Sequence, residues 1–193
     1  MINRFVFAVI ALVIFSCSGG QDTTPATPVE GIPAGAIQEA YPGNPDLVKV
    51  TINDAIGAIS QQGDYENGLK QGSWTEYHAN GLIKSVTSYV NGLKQGSAIQ
   101  IDDRGQLQER AYYYNDQLHG DFIVYNRTRV KEERHYLNGK LEGTFKRFYD
   151  NGTLQEESPY KGGKLDGIAR WYDQEGNVSI EYEYNEGELV KKD

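Results

Sequence analysis

The side chains best suited to metal or nucleophilic chemistry in this 193-residue chain are three histidines, His78, His119 and His135, and one cysteine, Cys17. A structural zinc site gathers four Cys or His ligands at short, regular spacings. These histidines fall at three different positions of an internal repeat, so they do not stack into a row, and the cysteine lies far upstream. Carboxylates are plentiful: Glu109, Glu132, Glu133, Glu156, Glu157, Glu181 and Glu183. They fall on strand positions of both parities, as a solvated face would place them rather than a convergent acid–base pair. Glycine-rich turns are frequent, but no helix follows them to offer its N-terminus to a phosphate. With 27 Asp and Glu against 19 Lys and Arg, the net charge of −8 opposes nucleic acid, whose phosphates need clustered cations. We therefore expect no enzyme, no catalytic residue, no metal site and no cofactor.

The chemistry left over is a modification of Cys17. Arg4 precedes an apolar run, Phe5–Phe15, of about eleven residues, where a membrane span needs about 20. The run ends Ile14-Phe15-Ser16-Cys17. This resembles the lipobox of bacterial lipoproteins, although Phe15 departs from the commonest residue at its position. The resemblance implies a signal peptide over 1–17, lipid on Cys17 as the first mature residue, and a membrane as partner through that lipid. Ser18 stands where an aspartate would imply inner-membrane retention, so the outer membrane of a bacterial cell envelope is the better destination. Cys17 is the only cysteine, which excludes a disulfide within one chain. Residues 18–46 hold five of the six prolines and read as a tether.

From about Val48 the chain repeats itself. Tyr65, Tyr89, Tyr113, Tyr136, Tyr160 and Tyr184 follow one another at steps of 24 residues, once 23. A glycine row, Gly72, Gly96, Gly120, Gly143 and Gly167, keeps the same step. A second glycine row, Gly57, Gly81, Gly105, Gly152 and Gly176, is broken only where Asn126–Arg129 stands, in the unit one residue short. Such periods of 20–50 residues signal a repeat architecture. Asn-Gly dipeptides recur at Asn67, Asn80, Asn91, Asn138 and Asn151, with Asn115-Asp116 in the same role. They are the strongest short-range hairpin signal. The expected fold of 47–193 is all-β: an elongated single-layer antiparallel meander of about six 24-residue hairpins and about 12 strands, with Leu47–Tyr65 as an atypical capping unit.

Pairing across the turns places the tyrosine row, the first glycine row and Trp74, Phe122 and Phe145 on one face. The glycines are expected to be a floor for neighbouring rings. Tyr77, Tyr125, Phe148 and Tyr172 have the opposite parity and belong to the other, wetter face unless a bulge re-aims them. The turn lysines Lys70, Lys94, Lys140 and Lys164 read as solubilising. Tyr65, Tyr89, Tyr113, Tyr136, Tyr160, Tyr184, Trp74, Phe122 and Phe145 form the candidate interaction strip, since an exposed aromatic patch marks a contact surface for a protein partner.

The unit Y-x-N-G-x-x-x-G-x-(aromatic)-x-x-(aromatic)-x-x-N-G, clearest in Tyr65–Gly81 and Tyr136–Gly152, resembles the bacterial variant of the MORN repeat. The resemblance implies a non-enzymatic scaffold or protein-interaction sheet. Some bacterial relatives are named as antitoxins of toxin–antitoxin pairs, which implies neutralisation of a protein toxin as the alternative. An antitoxin meets its toxin in the cytosol, whereas Cys17 points to export.

Overall fold

Turn chemistry sets the frame. In the computed structural model, which describes residues 31–190, both central residues of every turn joining one unit to the next have positive φ: Asn67-Gly68, Asn91-Gly92, Asn115-Asp116, Asn138-Gly139, Gly162-Gly163 and Glu186-Gly187. This is the type I′ geometry, whose twist matches that of the flanking strands. Each turn also leans on the one before it. The amides of Gly92, Asp116, Gly139, Gly163 and Gly187 donate to the carbonyls of Lys70, Lys94, Leu118, Leu141 and Leu165, at 2.8–3.0 Å.

The strands are β1 (Ile37–Tyr41), β2 (Asn44–Asn53), β3 (Ile59–Glu66), β4 (Leu69–Tyr77), β5 (Ile83–Val90), β6 (Leu93–Ile101), β7 (Leu107–Tyr114), β8 (Gln117–Leu118), β9 (Gly120–Asn126), β10 (Arg129–Leu137), β11 (Lys140–Leu141), β12 (Gly143–Phe148), β13 (Leu154–Lys161), β14 (Lys164–Leu165), β15 (Gly167–Tyr172), β16 (Val178–Asn185) and β17 (Glu188–Leu189). They form a single open antiparallel sheet in meander order. The all-β, single-layer expectation holds. The count exceeds 12 partly because β8, β11 and β14 are the first residues of longer strands interrupted before Gly120, Gly143 and Gly167.

The interruption corrects the reading of the first glycine row. These glycines carry no ring. Gly72, Gly96, Gly120, Gly143 and Gly167 all have φ between 68° and 114°, and a Cβ on Gly143 would meet nothing within 4 Å. They are bulge residues, where the left-handed backbone favours glycine. The bulge inserts two residues: Tyr89 faces Lys94, whereas Thr87 faces Ala98 instead of Gly96. A shift of one would flip every side chain to the other face; a shift of two preserves parity. The tyrosine row and the Trp74/Phe122/Phe145 row therefore still share a face, here called the inner face.

Gly63 is the glycine that does lie beneath a ring. A Cβ there would come within 2.1 Å of Trp74 Cε3. Its repeat equivalents are Thr87, Ala111, Arg134, Ser158 and Tyr182, mostly small. Ala111 and Ser158 are fully covered. At the centre of the inner face Trp74 is thus set against Gly63 and Thr87, Phe145 against Ser158, and Tyr182 against Ala169, a large residue beside a small one.

The sheet also begins earlier than Leu47. Ile37–Tyr41, inside the expected tether, pairs with β2 after a turn at Pro42-Gly43, and Ile32 and Ala36 pack on the cluster of Val48, Val50, Tyr65 and Trp74. The apolar side chains of Ile32 and Ala36 draw this Pro-rich stretch onto the sheet. Cys17 and the signal segment lie outside the described residues.

The mid-unit turns alternate between two devices. Asp54, Asp102 and Asp173 accept hydrogen bonds through Oδ1 from amides two and four residues on. At the equivalent position, His78 Nε2 lies 2.8 Å from the Ile101 carbonyl oxygen, and the Tyr149 hydroxyl donates to that of Tyr172. His78 is therefore part of the turn ladder and not a solvated surface residue.

Candidate interaction surface

The inner face has two halves with different chemistry. In the first, Trp74 and Tyr65 meet edge to face, ring centroids 5.4 Å apart. Lys70 lies over both Trp74 (4.3 Å) and Tyr89 (5.1 Å), and Lys94 over Tyr113 (5.0 Å). Burial holds the Lys70 ammonium below the usual lysine range, as expected of a cation placed among rings. These two lysines cover the aromatic strip, which corrects their reading as merely solubilising. Burial likewise pushes the hydroxyls of Tyr65, Tyr89, Tyr113 and Tyr160 up, so each stays a neutral hydrogen-bonding group.

In the second half the rings are covered by arginines tied to carboxylates. Phe122 and Tyr136 meet at 5.9 Å. Arg134 lies over Phe122 and Phe145, and Arg147 over Phe145. Glu132 accepts from Arg134 and, at 3.1 Å, from Arg147, which also donates to Glu156 at 3.3 Å. Ser158 donates to Glu156 in turn. Burial works against the Arg134 guanidinium, yet Glu132 and Tyr136 hold its pKa above the ordinary arginine value. Glu132 is buried, which corrects its reading as a solvated carboxylate: β10 places it on the inner face between two guanidinium groups.

The strip residues differ in what they offer a partner. Trp74, Tyr65 and Phe145 are buried at 1 %, 6 % and 6 % exposure. Tyr89, Tyr113, Tyr136, Tyr160, Tyr184 and Phe122 are half-buried. Beside them Glu109 is held above the usual carboxylate range by burial, against the pull of Arg134 and Lys94. Tyr172, of the opposite parity, donates to Glu157 on the outer face at 2.7 Å. The other two histidines do not join the strip. His119 sits beside the Tyr114 ring with Nδ1 enclosed and unpartnered, and His135 is exposed and bonded to Asp121. Among the described residues no three His, Cys, Asp or Glu side chains gather as a metal site would.

Three stretches match a known repeat in sequence: 70–91, 141–161 and 165–186. Each starts just after a type I′ turn and contains one bulge glycine and one mid-unit glycine. The repeat is the MORN repeat variant. No curated protein sequence matches the chain. The units beginning at Lys94 and Leu118 keep the paired strands and the bulge glycine of the matched MORN units but lie outside the match. The first has Ala98 and Ile101 in place of Trp74 and Tyr77, and the second has Arg127-Thr128 in place of the turn glycine. The MORN pattern is thus carried by the rings and the mid-unit turn, while the fold continues through units that lack one or the other.

Sequence reasoning missed the small row facing the rings, the two lysine covers and the Arg–Glu network. A step of 24 also joins Gly63, Thr87 and Ala111, and Lys70 with Lys94; that signal was present. In the Glu132–Arg147–Glu156 cluster the carboxylates do recur, Glu109, Glu132 and Glu156 following one another at steps of 23 and 24, but Arg147 has no counterpart: its row elsewhere carries Glu76, Gln100, Val124 and Trp171.

Proposed function

We propose that the chain is a non-enzymatic interaction scaffold of the bacterial cell envelope, held at a membrane by lipid on Cys17, with the inner face of its MORN-type sheet as the contact surface for a protein partner. One observation carries this reading. A single sheet layer leaves Tyr89, Tyr113, Tyr136, Tyr160 and Tyr184 half-buried, with no second layer across them among the described residues. In an ordinary domain such a face is closed by another layer. The tyrosines suit a contact surface: large rigid rings with hydroxyls kept neutral. The Ile14–Cys17 box and the Pro-rich stretch behind it support the anchor, and Ser18 in place of an aspartate supports the outer-membrane destination.

Two measurements test the proposal. Full-length protein with Cys17→Ser should leave the membrane fraction and lose its lipid mass; a mutant that stays membrane-bound refutes the anchor. Envelope extracts passed over the wild type and over a Tyr113→Ala/Tyr136→Ala variant should yield a partner that the variant does not retain. Equal retention would move the contact surface off the inner face.

A further inference from the structure

The outer face carries a groove with its own chemistry. Two adjoining hollows of about 380 and 290 Å³ share Asp121 and His135. Ser97, Arg110 and Tyr112 line the first, and Glu133 and Lys146 the second. The groove crosses β6, β7, β9, β10 and β12, a distance of about 20 Å at the usual strand spacing. We propose that this groove binds a short neutral oligosaccharide.

Three features point to that class. Arg134 also lines the second hollow, but its guanidinium is tied to Glu132 on the inner face; of the charges left, Arg110 and Lys146 balance Asp121 and Glu133, on a chain whose net charge is −8. A polyanion would meet the two carboxylates and a polycation the two cations. A ligand made of hydroxyls, each both donor and acceptor, matches both kinds of group at once. The second feature is that these groups are open. Among the described residues no ion pair involves Arg110, Glu133 or Lys146. One unit further on, the same rows close on themselves: Arg170 bonds Glu157 and Glu181, at 3.3 and 2.7 Å, and Tyr172 bonds Glu157. The third is a platform. Tyr112, 46 % exposed, stands where the other units have Asp64, Ser88, His135, Pro159 and Glu183. An exposed ring gives the apolar C–H face of a pyranose something to lie on, and the polar groups beside it fix its orientation. His135 is already held by Asp121 at 3.0 Å, so both are positioned before a ligand arrives.

The test is saturation-transfer NMR and titration of the full chain with three neutral trisaccharides: chitotriose, cellotriose and maltotriose. At least one should bind saturably. Tyr112→Ala should weaken it about tenfold or more, the size of a hot-spot truncation, and Arg110→Ala should weaken it less. Tyr112→Phe keeps the ring and should bind close to wild type. Tyr182→Ala, an exposed ring on the inner face, should leave binding unchanged. Melting curves that match wild type exclude unfolding as the cause. The proposal is overturned if none of the three sugars binds, if Tyr112→Ala binds as wild type does, if Tyr182→Ala weakens binding equally, or if a sulfated oligosaccharide or oligolysine occupies the groove instead.

Discussion

The two ends of the inner face place related residues in opposite circumstances. At the first end, Gly63 lies under the Trp74 indole, Val48 and Val50 are at 2 % and 0 % exposure, and Ile32 and Ala36 lie against the cluster. At the last described hairpin, Gly63's equivalent is Tyr182, and Val178, Ile180 and Tyr182 are 53 %, 46 % and 47 % exposed. The strand chemistry is similar at both: alternating residues, large against small. The difference is the neighbours. An inner row is buried where strands flank it on both sides, as at Ala111, Phe145, Ser158 and Ala169; at the first end β1 and β2 supply that flank, and Ile32 and Ala36 add further cover. The sheet is a quasi-one-dimensional array whose stability is close to a sum of units and nearest-neighbour contacts.

The largest effect should come from the covered end. Trp74→Ala removes a ring at 1 % exposure and should destabilise by about 3–5 kcal/mol. Tyr182→Ala, at the open end, should change stability by no more than about 0.5 kcal/mol. Urea denaturation of the two variants decides it. Similar losses would mean that the last hairpin is as well supported as the first.

Gly63→Val comes next. Any Cβ there collides with the indole, so the ring must move, and overpacking of this kind costs about 1–3 kcal/mol. The near-UV signal of Trp74 should change with it. Combining Gly63→Val with Trp74→Ala should restore much of the loss, because the collision is then gone. Additive losses would show that Gly63 matters through its backbone and not through the ring.

Gly143→Ala follows, and its mechanism is the opposite one. Nothing stands near its Cβ position, but φ is 77°, so an alanine there should cost about 1–2 kcal/mol by conformation alone. Gly152→Ala, at φ 92°, should cost about as much for the same reason. Asparagine tolerates the left-handed region better than alanine, so Gly143→Asn should be milder. If Gly143→Asn were as costly as Gly143→Val, space would be limiting after all.

These three sites show how far the sequence could be read. The type I′ turns were legible because Asn-Gly carries one physical meaning between β-rich runs. The shared face of the tyrosines and Trp74 was legible because parity survives an even insertion. Gly143 was not, because a glycine every 24 residues looks the same whether it frees a backbone or makes room for a ring. Only the two-residue offset of Thr87 against Ala98 separates the cases, and no periodicity reports it. Ile37–Tyr41 was hidden by the composition around it, although Tyr41-Pro42-Gly43-Asn44 is itself a turn signal. The outer groove left no periodic trace, since Tyr112, Asp121 and Arg110 depart from their repeat positions.

The smallest effect tests the comparison at the middle of the array, between the third full unit and the fourth. The fourth turns through Asn151-Gly152 with Gly152 at φ 92°. The third, one residue shorter, closes on a two-residue loop, Asn126 opposite Arg129, and Arg127 must take φ 58°. A non-glycine residue there costs about 1–2 kcal/mol, while glycine's own loss of freedom costs about 0.5–1 kcal/mol, so Arg127→Gly should stabilise by no more than about 1 kcal/mol. Asp150 braces the loop, accepting from Asn126 through its carboxylate at 2.8 Å and from Arg129 through its carbonyl. Asp150→Ala should therefore loosen it. In wild type, Phe122–Tyr125 and Glu132–Tyr136 should exchange their amides faster than Phe145–Phe148 and Glu156–Tyr160. Arg127→Gly should narrow that gap and Asp150→Ala widen it. Equal or slower exchange in the third unit would mean that the bond to Asp150 more than offsets the strained arginine, and the short turn would then be the better-held of the two.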